Sequence, residues 1–267
     1  MIFRTEIEIP KAPWQIGYGD KIALLGSCFS DNMARKFGEY YFQVTANPTG
    51  TLYNPVSIAR HIDDAEVRDA DVFIITFGTA WVYVDKQTST VVDNCQKRPA
   101  SDFVRRRLTV DEIVDLWQPI IAARPNKRFI FTVSPIRHVK DGLHENNLSK
   151  GILLLAIERL TAQRANLQQA QPVYFPAYEL LLDELRDYRF YSDDMKHPSP
   201  VAISYIWEKF VETFISPATQ SEMKELFALW LNRQHRSLRP GSIEDTAFQN
   251  RLADQLCALQ SRYPWVK

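Results

Sequence analysis

The chain is expected to fold as an α/β protein, with a central parallel sheet covered by helices on both faces in a three-layer α/β/α sandwich and a helical C-terminal extension. Three observations lead there. Four short apolar runs rich in β-branched and aromatic residues recur along the first 175 positions, at Lys21–Leu25, Asp71–Phe77, Arg128–Val133 and Pro172–Phe175. Segments with apolar residues at helical spacing lie between them, and strands alternating with helices imply βαβ units and hence a parallel sheet. Asp71–Phe77 in particular is β-rich and apolar rather than alternating, as a strand buried on both faces must be.

The elements follow in order. Lys21–Leu25 ends in Gly26-Ser27-Cys28, and Phe29 to Tyr41 then carries apolar residues at helical intervals, so a strand, a tight turn and a helix are predicted. Asp71–Phe77 reads as a buried central strand stopped by Gly78. In Thr109 to Ala123 the residues Val110, Ile113, Val114, Trp117 and Ile121 share one helical face ahead of the third strand. A helix from about Asn147 to Ala170 precedes the fourth strand, and Pro198 and Pro200 start another over Val201 to Phe210. Beyond Ser216 the pattern turns helical throughout, with Glu222–Arg236 and Ser242–Arg262 separated by Leu238-Arg239-Pro240-Gly241 and Ser242 placed as an N-cap. The expected division is therefore an α/β domain over 1–215 and a helical extension over 216–267. Trp230, Leu226, Phe248, Leu252, Leu256 and Leu259 of the extension are assigned to packing, and the same helices offer a route to oligomers.

Composition narrows the function. Thirty-two basic and 32 acidic side chains balance, and the one compact basic run, Arg105-Arg106-Arg107, reads as solvated surface, so no nucleic-acid partner is expected. No apolar stretch approaches the ~18 residues that span a bilayer, and the charged N-terminal segment does not read as a secretory signal, so a cytoplasmic location without a membrane partner is expected. Cys28, Cys95 and Cys257 are far apart and form no Cys-x-x-Cys pair; neither a disulfide framework nor a metal site is suggested. No Gly-rich nucleotide loop is present, and no cofactor is expected.

In open α/β sheets the site lies outside the carboxyl ends of the strands, where helix N-termini present free N–H groups. Gly26-Ser27-Cys28 sits there, and either Cys28 or Ser27 is a candidate nucleophile on a turn whose N–H groups stabilise an oxyanion. A helix N-terminus and a nearby imidazolium would acidify the thiol of Cys28. Asp194 and His197, three apart in Asp193-Asp194-Met195-Lys196-His197-Pro198-Ser199, allow a carboxylate to hold one imidazole nitrogen while the other faces the site. Asp193 is the alternative orienting carboxylate. Ser134-Pro135-Ile136-Arg137-His138 ends the third strand, where Arg137 can bind an anionic group. Asn146, Asn147, Ser149 and Lys150 are assigned to ordering the following loop.

Together these stretches resemble the GSCFA branch of the SGNH/GDSL hydrolase superfamily, over roughly residues 1 to 215. The resemblance is carried by Leu24-Leu25-Gly26-Ser27-Cys28-Phe29-Ser30, Gly50-Thr51-Leu52-Tyr53-Asn54-Pro55, Phe77-Gly78-Thr79-Ala80-Trp81, Ser134–His138, Asn146–Lys150 and the Asp194–His197 loop. It implies an esterase-like scaffold in which the Gly-Asp-Ser-Leu serine falls on Cys28, or on Ser27 after a one-residue shift. It further implies that Gly50 donates an N–H to the oxyanion, that His197 is the general base and that Asp194 orients it. The superfamily's Gly-x-Asn-Asp block falls on Gly78-Thr79-Ala80-Trp81, so the oxyanion asparagine is replaced by Ala80; Thr79, Arg137 or His138 are the candidates to take its place. The implied activity is hydrolysis or transfer of an acyl ester on a carbohydrate or small metabolite through an acyl-enzyme. The alternative is a weakly catalytic or non-catalytic ligand-binding protein on the same scaffold.

Overall fold

The computed structural model describes residues 4–93, 95, 97–162 and 170–266. Five parallel strands, β1 (Ile22–Gly26), β2 (Val44–Ala46), β3 (Val72–Phe77), β7 (Arg128–Val133) and β8 (Val173–Tyr174), pair in the order β2-β1-β3-β7-β8. Register is set by burial on both faces. Ile22 and Leu24 of β1 join one core cluster with Val72, Ile74 and Ile130, while Ala23 and Leu25 join a second with Phe73, Ile75, Phe129 and Phe131. The two-residue side-chain period sends alternate residues to opposite faces, so an apolar run with no polar break needs a helical layer on each side.

The first layer contains α1 (Cys28–Glu39), α6 (Pro200–Phe214), α7 (Pro217–Gln234) and α8 (Ile243–Arg262). In α1, Phe29, Met33 and Phe37 recur at four-residue spacing and are buried, and Ser27 caps the helix by accepting from the Phe29 N–H at 3.3 Å. Met223, Leu226, Leu229, Leu252 and Leu259 bring the C-terminal helices into the same cluster as β1 and α1. The extension thus shares the core of the sandwich, and the indole N–H of Trp265 donates to the Tyr41 carbonyl at 3.0 Å. The opposite layer holds α2 (Pro55–Arg60), α3 (Val110–Ala122) and α4 (Leu143–Ala162). The helix expected to run to Ala170 is described as far as Ala162; positions 163–169 lie outside the described residues.

Two features depart from the expected alternation. After β3 the chain enters an antiparallel sheet, β4 (Trp81–Asp85), β5 (Val91–Val92) and β6 (Phe103–Arg107), in the order β5-β4-β6. This small sheet stands at the carboxyl end of β3 and forms a wall of the cavity described below. Beyond β8, the short α5 (Ala177–Glu179) runs into a π-helical segment, Leu180–Leu185, closed by Arg186 in the left-handed region at φ 44°. No helix among the described residues is long and apolar enough to cross a membrane.

Candidate active site

Two glycines bring the strand ends close. Gly26 pairs with Thr76 across β1 and β3 at φ 140°, and a Cβ there would lie 2.1 Å from the Thr76 carbonyl oxygen. Gly78 donates to the Tyr53 carbonyl at 2.8 Å, and a Cβ on it would meet that oxygen at 2.9 Å. Both positions exclude any side chain.

Cys28 opens α1 at the end of β1, half-buried, with its Sγ 3.4 Å from Nε2 of His197. The His197 loop is built by Asp194. Its Oδ1 accepts from the backbone N–H groups of Lys196 and His197 at 2.9 and 3.0 Å, and its Oδ2 meets His197 Nδ1 at 2.5 Å. Ser199 then caps α6, which anchors the loop at its far end. The backbone N–H of His197, then its imidazole and the Lys196 N–H, hold the Asp194 carboxyl well below the usual carboxylate range. Asp194, rather than Asp193, is the carboxylate in contact with the ring.

Burial raises the Cys28 thiol above its ordinary value, opposed by its own backbone N–H; Asp31 and Asp194 raise it further and Lys150 lowers it. The net direction is opposite to the acidified thiol expected at the helix terminus, with desolvation the largest cause. Ser27 is fully buried. It donates to Ser134 Oγ at 2.9 Å besides capping α1, so its hydroxyl faces the protein interior and not the cavity.

The expected oxyanion donors are differently engaged. Gly50 sits in an exposed turn and its N–H donates to the Asn47 carbonyl at 2.8 Å. The N–H groups of Gly78 and Thr79 both donate to the Tyr53 carbonyl, at 2.8 and 2.9 Å. All three N–H groups are thus engaged within the protein, including that of Gly50, the expected oxyanion donor. Ala80 is buried, and its N–H donates to Ser149 Oγ at 2.7 Å. Thr79 presents its hydroxyl to Ser149 Oγ at 3.0 Å and to the Trp81 N–H at 3.1 Å.

These side chains border a cavity of about 600 Å³ in front of Cys28, lined also by Thr79, Trp81, Arg105, Arg137, His138 and His197. Arg137 reaches the Met195 carbonyl with Nη1 at 3.4 Å and lies over the rings of Tyr188 and Tyr191. His138 has a buried Nε2 with no hydrogen-bond partner among the described residues, as does Nε1 of Trp81. Burial, with Lys150 and His197 nearby, pushes His138 down to about 4, so its ring is neutral at pH 7. Among the described residues no group of three or more His, Cys, Asp or Glu is arranged to hold a metal ion.

Lys150, expected to order the loop after β7, holds a more specific position. It is fully buried, and Nζ donates to the carbonyls of Gly78 and Ser134 at 2.7 Å each, tying together the ends of β3 and β7. Burial pushes it down to about 7, and the Coulombic attraction of Cys28 opposes that. On α4 it shares the buried face with Asn146, Ser149, Leu153 and Ile157. That spacing is visible in the sequence: a lysine on the apolar side of a helix is either paired or functional. Asn146 and Ser149 complete the same polar helix end, accepting from the His138 and Ala80 N–H groups at 3.0 and 2.7 Å.

The GSCFA family model matches residues 21–67 and 63–210, and the chain belongs to the GSCFA family. No curated protein matches the sequence. Similar solved structures include a GDSL-like lipase from Bacteroides thetaiotaomicron VPI-5482, 12% identical, TM-score 0.45, covering 77% of this chain and 89% of that one. An acetylxylan esterase from Geobacillus stearothermophilus, a catalytic mutant, is 11% identical, TM-score 0.45, covering 75% of this chain and 96% of the other. A carbohydrate esterase family 3 protein from Talaromyces cellulolyticus is 12% identical, TM-score 0.40, covering 77% and 99%.

Proposed function

We propose that this protein is an acyl-ester hydrolase or acyltransferase that works through an acyl-enzyme on Cys28, acting on a small-molecule or carbohydrate-derived ester. The observation that carries the proposal is the relay from Cys28 Sγ to His197 Nε2 at 3.4 Å and from His197 Nδ1 to Asp194 at 2.5 Å. It joins residues 169 positions apart in the chain order of the superfamily that the sequence resembles.

Because burial keeps Cys28 a thiol at rest, the nucleophile has to be made during the reaction. His197 Nε2 takes the Sγ proton as sulfur attacks the acyl carbon, and the carbonyl π pair moves onto oxygen. The tetrahedral intermediate collapses, the C–O bond to the alcohol breaks, and His197 returns the proton to that oxygen. A thioester remains. Water, or an acceptor hydroxyl, then gives its proton to His197 and attacks the thioester carbon, and Cys28 leaves and is reprotonated. Asp194 steadies the imidazolium formed in each half. The oxyanion is assigned to the backbone N–H of Cys28 in the first turn of α1, with the Lys150 cation beneath the strand ends. Trp81 and His138, which line the cavity and each hold a buried ring nitrogen without a partner among the described residues, are assigned to the place of the asparagine replaced by Ala80.

The second reading, a ligand-binding protein without turnover, is favoured by the internal engagement of the Gly50, Gly78 and Thr79 N–H groups. Labelling separates the two. With a thiol alkylator and a serine-directed fluorophosphonate, Cys28 should be modified, Ser27 should not, and His197→Ala should slow the Cys28 reaction about tenfold or more. Labelling indifferent to residue 197 would favour the binding reading.

A further inference from the structure

We infer that the cavity before Cys28 selects an anionic ester, one whose acyl or alcohol part carries a carboxylate or phosphate. This rests on the hydrolase reading for the word ester, but the selectivity for an anion rests on charge and geometry alone. Four basic side chains, Arg105, Arg137, Lys140 and Lys196, line the cavity against one carboxylate, Asp93. Asp93 is already occupied: its Oδ2 lies 3.0 Å from His61 Nε2 and its Oδ1 3.4 Å from Arg60 Nη1. Arg137, Lys140 and Lys196, which form no ion pair among the described residues, give the lining a positive excess in a chain whose formal charge is zero, so these cations are concentrated here rather than reflecting a basic protein.

The two arginines are also held in orientation. The Arg105 guanidinium lies 3.9 Å from the ring centre of Trp81 and 5.9 Å from that of Tyr83, on the wall supplied by β4 and β6. Arg137 lies 5.5 and 5.4 Å from the ring centres of Tyr188 and Tyr191. A stacked guanidinium has its plane fixed and loses less freedom on forming the bidentate bonds that suit carboxylate and phosphate. Among the described residues, Arg137, Lys140 and Lys196 have no carboxylate within ion-pair distance. The small antiparallel sheet therefore has a use that the parallel sheet does not explain: it carries Trp81, Tyr83 and Arg105 to the rim.

The test uses matched alkylators, iodoacetate (anionic) and iodoacetamide (neutral), with the rate read by peptide mapping at Cys28 and at exposed Cys257 on α8 as an internal reference. The expected result is an iodoacetate-to-iodoacetamide ratio at Cys28 about tenfold above that at Cys257, falling severalfold in 0.5 M salt, in keeping with electrostatic focusing and its screening. Arg105→Gln with Lys140→Gln, both exposed positions, should lower the Cys28 ratio severalfold and leave the Cys257 ratio unmoved. Inorganic phosphate and succinate, each added against iodoacetamide, distinguish the headgroups; slower Cys28 labelling with either supports the inference, and protection by neither counts against it. Equal ratios at the two cysteines in the wild type would overturn it. The hydrolase reading fails on a different observation, labelling of Cys28 that ignores His197→Ala.

Discussion

Replacing Lys150 with methionine tests the site from beneath. The side chain is fully buried, donates to the carbonyls of Gly78 and Ser134, and is pushed from a lysine's usual 10.5 to about 7. A depressed lysine means that the native state binds fewer protons than the unfolded chain between pH 7 and about 10, so its contribution to stability rises with pH across that window. The gap between 10.5 and 7 is worth ~5 kcal/mol at ~1.4 kcal/mol per pH unit, and ~2 kcal/mol of it is relieved between pH 7 and pH 9. The penalty is fully present below pH 7. Methionine keeps the length of the side chain and removes the titration, at the expense of leaving two carbonyls without their donor. Urea unfolding of both proteins at pH 7, 8 and 9 should therefore show the wild type gaining ~2 kcal/mol relative to Lys150→Met as pH rises, whatever the offset at pH 7. Parallel pH profiles would refute the argument, since they would mean that Lys150 titrates alike in the folded and unfolded states. A second readout bears on the chemistry. Loss of the buried cation should raise the thiol of Cys28 still further, shifting the pH dependence of its alkylation upward, an effect that a purely structural lysine would not produce.

Three further outcomes follow from single contacts. Ser27→Ala removes an N-cap and a buried hydroxyl pair and should destabilise by about 0.5–2 kcal/mol in thermal or urea unfolding while Cys28 remains the labelled residue. Gly78→Ala forces a Cβ to 2.9 Å from the Tyr53 carbonyl oxygen, a backbone atom, and should destabilise by about 1–3 kcal/mol in the same assay. Asp194→Asn should reduce the rate of Cys28 acylation about tenfold or more by a nearly constant factor from pH 5 to 9. The Asp194 carboxyl, held low by the His197 and Lys196 N–H groups and the imidazole, stays ionised across that range, and its contribution to loop order is lost only at more acid pH.

The parallel sheet was legible because each of its long strands is apolar on both faces, and Gly26 and Gly78 mark where two of them stop. The Asp194–His197 loop was legible because three-residue spacing and two flanking prolines constrain it locally. What the sequence concealed depends on long-range placement. The choice between Ser27 and Cys28 follows from which side chain points inward at the turn, and Ser134, 107 residues away, captures Ser27. The engagement of the Gly50 N–H with the Asn47 carbonyl was hidden because a motif records a glycine but not where its N–H goes. The sheet of β4, β5 and β6 is short and half-exposed, so its alternation is weak, and Arg105 reads as surface until Trp81 is seen beneath it. The place of Lys150 on the buried face of α4, by contrast, is written in its spacing from Asn146, Leu153 and Ile157.

The central claim is that Cys28 attacks with His197 as its base. Brief reaction with 4-nitrophenyl acetate, followed by peptide mapping, tests it most directly. The account predicts a burst of nitrophenolate, an acetyl group on Cys28 that is labile to hydroxylamine as a thioester must be, no adduct in Cys28→Ala, and a burst slowed about tenfold or more in His197→Ala. An acetyl group on Ser27, or acylation of Cys28 at the same rate with and without His197, would contradict it.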